Sequence, residues 1–119
     1  MVIKRLKYPD PLWNSVAEYA ADCSWSAGKS LAKQMYTNSF NDWERVFVAL
    51  HDDKIAGYCT LAKTDCIPDV PYTPYIGYMF VDEQFRGCRL SQKLIKCALL
   101  YAKELHYNQV YLISDHINL

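Results

Sequence analysis

Leu12, Trp13, Val16, Ala17 and Ala20 recur at the spacing of a helix with one buried face. Asp10 as N-cap and Pro11 at the first helical position predict that this helix starts there. Val2–Leu6 precedes it as a short strand, and Ser26 is positioned to cap a second helix carrying Leu31, Ala32 and Met35.

The period then changes. RVFVALH, from Arg45 to His51, is β-branched and aromatic, Asp52 and Asp53 supply a turn, and residues 54–63 resume as an apolar strand, which predicts an antiparallel hairpin. Pro68 and Pro71 mark residues 64–73 as a loop that could fold over a substrate. Tyr75–Val81 follows as a third long strand.

Beyond a polar turn, Leu90, Leu94, Ile95, Ala98, Leu99, Ala102 and Leu105 form the apolar face of an amphipathic helix, with Gln92, Lys93, Lys96 and Lys103 off it. Residues 109–113, QVYLI, suit a strand buried on both faces. The last three elements therefore spell strand, helix, strand, for which a right-handed parallel crossover is expected. The fold class expected is α/β (α+β): a mixed, mostly antiparallel sheet flanked by helices and ending in a β-α-β unit.

Composition narrows the function classes. A chain of 119 residues can bury one modest core, so a single domain over 1–119 is expected. Zero formal net charge leaves no basic field to gather nucleic acid or an anionic membrane, so neither is expected as a partner and any anion must be held locally. With no apolar run long enough to span a bilayer and no basic-plus-apolar leader, a soluble cytoplasmic protein is expected. Cys23, Cys59, Cys66, Cys88 and Cys97 are odd in number and form no CxxC pair, which predicts reduced thiols and no metal site.

Candidate chemistry centres on residues 86–91. A strand there runs through a tight turn into a helix expected to begin with Arg86, Gly87, Cys88 and Arg89. Helix N-termini present unpaired N–H groups and partial positive charge; Gly87 leaves the backbone approachable, and Arg86 and Arg89 add charge. This arrangement suits a pyrophosphate.

The segment VDEQFRGCRLSQKLI resembles the acetyl-CoA motif of the GNAT superfamily of acyl-CoA N-acyltransferases, commonly written V-D-P-x-Y/F-R-G-x-G-x-G/A before an amphipathic helix. Val81, Asp82, Phe85, Arg86 and Gly87 match it, whereas Arg89 and Ser91 stand where the family has glycines. The order of elements resembles that family along nearly the whole chain. The resemblance implies that acetyl-CoA is the co-substrate and that residues 75–81 splay from residues 109–113. It also implies that the pantetheine arm lies between them, with backbone groups of Phe80 and Val81 pairing with it. The pyrophosphate would rest on Arg86, Gly87, Cys88, Arg89, Leu90 and Ser91.

It further implies an N-acetyltransferase in which a primary amine of a small molecule or protein attacks the thioester directly. A non-catalytic CoA-binding or subunit-interaction domain is the alternative. Asp82, Glu83 and Asp115 are the candidate proton acceptors, with no one of them singled out. His51 and His116 lack an identified partner. Tyr72, Tyr75 and Tyr78 are candidates for an acceptor pocket, and Cys88 stands between two arginines at the expected helix start. The family usually continues past this point with a segment whose tyrosine protonates the thiolate. A homodimer or a C-terminally truncated product is therefore expected.

Overall fold

A computed structural model describes residues 2–23, 27–38, 40, 42–62 and 74–112. The elements run β1 (Val2–Leu6), α1 (Trp13–Asp22), α2 (Ala27–Tyr36), β2 (Arg45–His51), β3 (Lys54–Ala62), β4 (Tyr75–Val81), a 3-10 turn (Glu83–Phe85), α3 (Leu90–Glu104) and β5 (Tyr111–Leu112). They form one sheet in the order β1-β2-β3-β4-β5. Neighbours are antiparallel up to β4, and β4 pairs with β5 in parallel. This is the mixed sheet with a terminal β-α-β unit that the sequence predicts.

The hairpin closes as expected. His51 pairs with Lys54, and Asp52 and Asp53 take φ of 49° and 67°, the two left-handed residues that a tight hairpin turn needs.

Helices cover both faces of the sheet, which is why its central strands are apolar without alternation. On one face, α1 and α2 bring Trp13, Val16, Leu31 and Met35 against Val46, Val48 and Tyr58. On the other, α3 brings Leu90, Leu94 and Ala98 against Phe47, Cys59, Leu61 and Ile76. The Trp13 indole N–H donates to the Met35 carbonyl at 2.9 Å, so the two helices are joined by a satisfied buried donor.

Within β4 the side-chain alternation breaks. Ile76 faces α3, yet Tyr78, two residues on, joins the core under α1 and α2. The register explains it: Tyr58 pairs with Phe80 and Thr60 with Gly77, so β4 carries one extra residue, and Tyr78 has φ 47°. A bulge of this kind turns the following side chains to the opposite face.

Several boundaries differ from expectation. Helix α1 begins at Trp13 with Leu12 at its N-cap; the Asp10 carboxylate instead accepts from the Leu12 amide at 2.9 Å and closes the turn before the helix. Helix α3 begins at Leu90, because Gly87 and Arg89 are left-handed and cannot continue a helical run. On α3, Leu99 is 45% exposed, and Tyr101 takes the buried place that the apolar stripe assigned to it. Strand β5 is only Tyr111–Leu112, with Gln109 exposed and Tyr111 half-buried, so its described part is not buried on both faces. Ser26, Lys63, the loop 64–73 and residues 113–119 lie outside the described residues, and with them Cys66, Tyr72, Asp115 and His116.

Candidate functional site

Strand β4 ends at Val81, and the chain turns there because Asp82 is held from four directions. Its amide donates to the Ala56 carbonyl at 2.8 Å and its carbonyl accepts from the Phe85 amide at 2.9 Å. Its carboxylate accepts from the Tyr19 hydroxyl at 2.6 Å and from the Gln84 amide at 3.1 Å. The Tyr19 bond first, then the Gln84 amide and the nearby Arg86 charge, hold the Asp82 carboxyl below the usual carboxylate range. The Tyr19 phenol is pushed up in turn, by burial first and then by Asp82.

From this turn the chain enters residues 86–91. The Arg86 Nε donates to the Val81 carbonyl at 3.1 Å, folding that side chain back over the end of β4. The Cys88 thiol donates to the Phe85 carbonyl at 2.7 Å. Gly87 has φ 89° with nothing within 4 Å of where a Cβ would stand. Conformation, and not crowding, is thus what calls for glycine, and the space beside it is open. Arg89 holds φ 61° with an exposed side chain, a left-handed conformation in which a non-glycine residue is uncommon.

Helix α3 then begins with no side-chain cap and no acidic residue in its first turn. The partial positive charge at the N-terminus of its 15 residues therefore meets no acidic side chain within its own first turn. Open backbone at Gly87, uncapped amides and exposed Arg86 and Arg89 together fit a pyrophosphate.

Gly57 on β3, which sequence reasoning did not single out, lets β4 and α3 meet at this point. A Cβ there would stand 2.6 Å from the Phe80 carbonyl oxygen and 3.3 Å from Leu90 Cδ2. Phe80 and Val81 pair with Tyr58 and Gly57 on the β3 side. On the β5 side, the described pairs are Tyr75 with Tyr111 and Ile76 with Leu112. The chain that would show the expected splay lies beyond them, outside the described residues.

A cleft opens between α1 and the end of β4. Tyr19, Asp22, Cys23, Phe80, Asp82 and Glu83 line a hollow of about 340 Å3. A groove of about 530 Å3 shares Tyr19, Asp22 and Asp82 with it and adds Glu18, Asp53, Lys54 and Phe85. Glu18, Asp22, Asp53, Asp82 and Glu83 thus face a space whose walls contribute one lysine. Its field favours a cation.

The structure brings Phe80, Asp82 and Glu83 to this cleft and gathers Arg86, Gly87, Cys88, Arg89, Leu90 and Ser91 beside it. Other candidates lie elsewhere. Tyr75 is buried against Tyr111 at 5.8 Å between ring centroids. Tyr78 is buried with its hydroxyl bonded to Ser30 Oγ at 2.9 Å and Gln34 Nε2 at 3.0 Å. His51 is exposed, packs on Phe85 at 5.3 Å and sits 3.5 Å from the Asp52 carboxylate. The aromatic residue that sequence reasoning missed is Tyr19. It flanks the buried stripe of α1, and its partner is 63 positions away. Among the described residues no group of three or more His, Cys, Asp or Glu could hold a metal ion. No described helix is long and apolar enough to cross a membrane.

Solved structures share this fold. The predicted acetyltransferase of Clostridium acetobutylicum, determined with acetyl-CoA, aligns with a TM-score of 0.64 at 16% identity, over 95% of this chain and 80% of its own. The aminoglycoside antibiotic 6′-N-acetyltransferase of Acinetobacter haemolyticus gives 0.71 at 14% identity, over 99% and 82%. An aminoglycoside acetyltransferase from an uncultured soil metagenomic sample, in complex with sisomicin, gives 0.64 at 22% identity, over 96% and 77%. No curated protein matches the sequence significantly. The sequence profile of the acetyltransferase (GNAT) family matches residues 12–119, and the chain accordingly belongs to that family of acyltransferases.

Proposed function

We propose that this chain, as one acetyltransferase domain, transfers an acetyl group from acetyl-CoA to a primary amine of a small, cationic molecule. The observation that carries this reading is one of adjacency. Residues 82–85 border the carboxylate-lined cleft and lead through residues 86–89 into the N-terminus of α3, so a cation and an anion would be held at the two ends of one short segment. The solved aminoglycoside acetyltransferases, whose substrates are small and carry several amines, support this acceptor class. The free thiols of Cys59, Cys88 and Cys97 suit a reducing cytoplasm.

Acetyl-CoA supplies the acyl thioester; its C–S bond would break as the amine nitrogen forms the new C–N bond, and CoA would leave as a thiolate that takes a proton from water. The chain's part is to place and deprotonate. Amides of residues 87–91 would hold the pyrophosphate, with Arg86 and Arg89 adding charge. Backbone groups of Phe80 and Val81 would align the pantetheine arm. Glu18, Asp22 and Asp53 would hold the acceptor as its ammonium form, which must lose a proton before it can attack.

Glu83 is the base we assign. It lines the hollow beside Phe80, and its carboxylate is exposed. Asp82 is the weaker base, since its two hydrogen bonds stabilise the ionised form.

The test is release of free CoA thiol when the purified chain meets acetyl-CoA and a panel of polyamines, aminoglycosides included. Thiol release with at least one amine, reduced roughly a hundredfold in Glu83→Gln, is expected. Acetyl-CoA binding without release for any amine would refute turnover and leave a CoA-binding domain.

A further inference from the structure

In the mechanism above Asp82 has no proton to move, yet each of its polar groups is engaged. Amide and carbonyl are bonded to β3 and to the following turn, one carboxylate oxygen to the Gln84 amide and the other to Tyr19 of α1. Of these bonds, the one from Tyr19 comes from α1, across the acceptor cleft from the turn.

Tyr19 is itself held in place. Its ring stands edge-on to Tyr58 at 6.2 Å and tilted against Phe80 at 6.2 Å, so its hydroxyl is aimed by packing and not left to swing in solvent. The segment it grips, 82–85, is the one from which the loop 86–89 departs, and that loop contains the two left-handed residues Gly87 and Arg89. A loop with such a backbone keeps one shape only if its ends are fixed. The β3 side fixes one face of the turn through Ala56, and Tyr19 fixes the other.

We propose that Tyr19 and Asp82 are a positioning pair: the 2.6 Å hydrogen bond ties α1 to the turn and so presets the anion-binding loop for acetyl-CoA. The inference rests on the acetyl-CoA reading above. It makes co-substrate affinity depend on a residue of the acceptor cleft that stands on α1, outside the loop. It also gives the Asp of the matched motif a task other than proton transfer.

The experiment is calorimetric titration of acetyl-CoA into the wild-type chain and into Tyr19→Phe, Asp82→Ala, Asp82→Asn and the double variant Tyr19→Phe/Asp82→Ala, each with its melting temperature. Tyr19→Phe is expected to weaken binding roughly three- to tenfold, the scale of one ordinary hydrogen bond, since the bond to the carboxylate acts on the loop only through the turn. Asp82→Ala should weaken it at least as much, and the double variant no more than Asp82→Ala alone, because both remove the same bond. Asp82→Asn can still accept from Gln84 and donate to the Tyr19 oxygen, so its affinity should stay within about twofold of wild type.

A purely structural bond would lower the melting temperature and leave affinity unchanged below the transition. Wild-type affinity in Tyr19→Phe, or additive losses in the double variant, would overturn the pairing while leaving acetyl-CoA binding intact. A wild-type chain that does not bind acetyl-CoA would overturn both readings. An Asp82→Asn variant as weak as Asp82→Ala would show that charge and not positioning is what matters, and would overturn this inference alone.

Discussion

Gly57→Ala is the substitution whose sign separates this structure from general propensity. Replacing glycine by alanine inside a strand ordinarily stabilises by about 0.5–1 kcal/mol, because glycine loses more backbone freedom on folding. Here the new Cβ would stand 2.6 Å from the Phe80 carbonyl oxygen and 3.3 Å from the Val81 Cα. Both obstacles are backbone, so no side-chain rotation relieves them; β4 must move away from β3 by roughly half an ångström, at the cost of overpacking, about 2–3 kcal/mol.

For a chain of 119 residues, with an unfolding entropy of roughly 0.25 kcal/mol/K, that is a fall of about 10 °C in melting temperature. The displaced backbone is that of Phe80 and Val81, so acetyl-CoA affinity should fall as well. Circular dichroism melts, with calorimetry for the co-substrate, are the assays. A melting temperature equal to or above that of the wild type would refute the close approach of β3 and β4 at this point.

Other substitutions probe the remaining links. Leu94→Ala empties a fully buried site between α3 and the sheet and should cost about 3 kcal/mol, a fall near 12 °C; a loss under 3 °C would mean that α3 is not packed as described. Arg89→Gly frees a left-handed backbone and should raise the melting temperature by about 2–4 °C, measured without co-substrate; a fall would show that the arginine side chain anchors the loop. Because the folded Asp82 carboxyl lies below its unfolded value, its contribution is full above about pH 4 and is lost as pH falls through the lowered value. The difference in melting temperature between wild type and Tyr19→Phe should therefore shrink from pH 6 towards pH 3, and a gap that widens on acidification contradicts the assignment.

The legible parts of this protein were those written in local pattern. Helical period located the three described helices, β-branched and aromatic runs located the strands they flank, and the hairpin was readable because a two-residue turn with positive φ favours a pair such as Asp52 and Asp53. Residues 81–87 were readable through their resemblance to the family's motif, and the structure gives that stretch a strand end, a left-handed Gly87 and then the start of α3. Helix boundaries were less legible. Pro11 and Asp10 were compatible with a helix start, but the turn they close comes before it, and the left-handed Arg89 moved the start of α3 to Leu90.

What only the tertiary structure decided are the relations between residues far apart in sequence. Nothing in α1 marks Tyr19 as Asp82's partner 63 residues on, because a phenol beside an apolar stripe is equally consistent with core or surface until β4 is placed against it. The same holds for Gly57, whose need for a missing Cβ arises from the carbonyl of Phe80 on the next strand. The extra residue in β4 likewise reverses which face Tyr78 takes, and so places it in the core under α1 and α2 instead of the one under α3. Local sequence determined the elements and the turn that leads into α3, since both depend on backbone conformation over a few residues. The carboxylates of the cleft came together only by packing, since Glu18, Asp53 and Glu83 stand on three different segments that the fold alone makes neighbours.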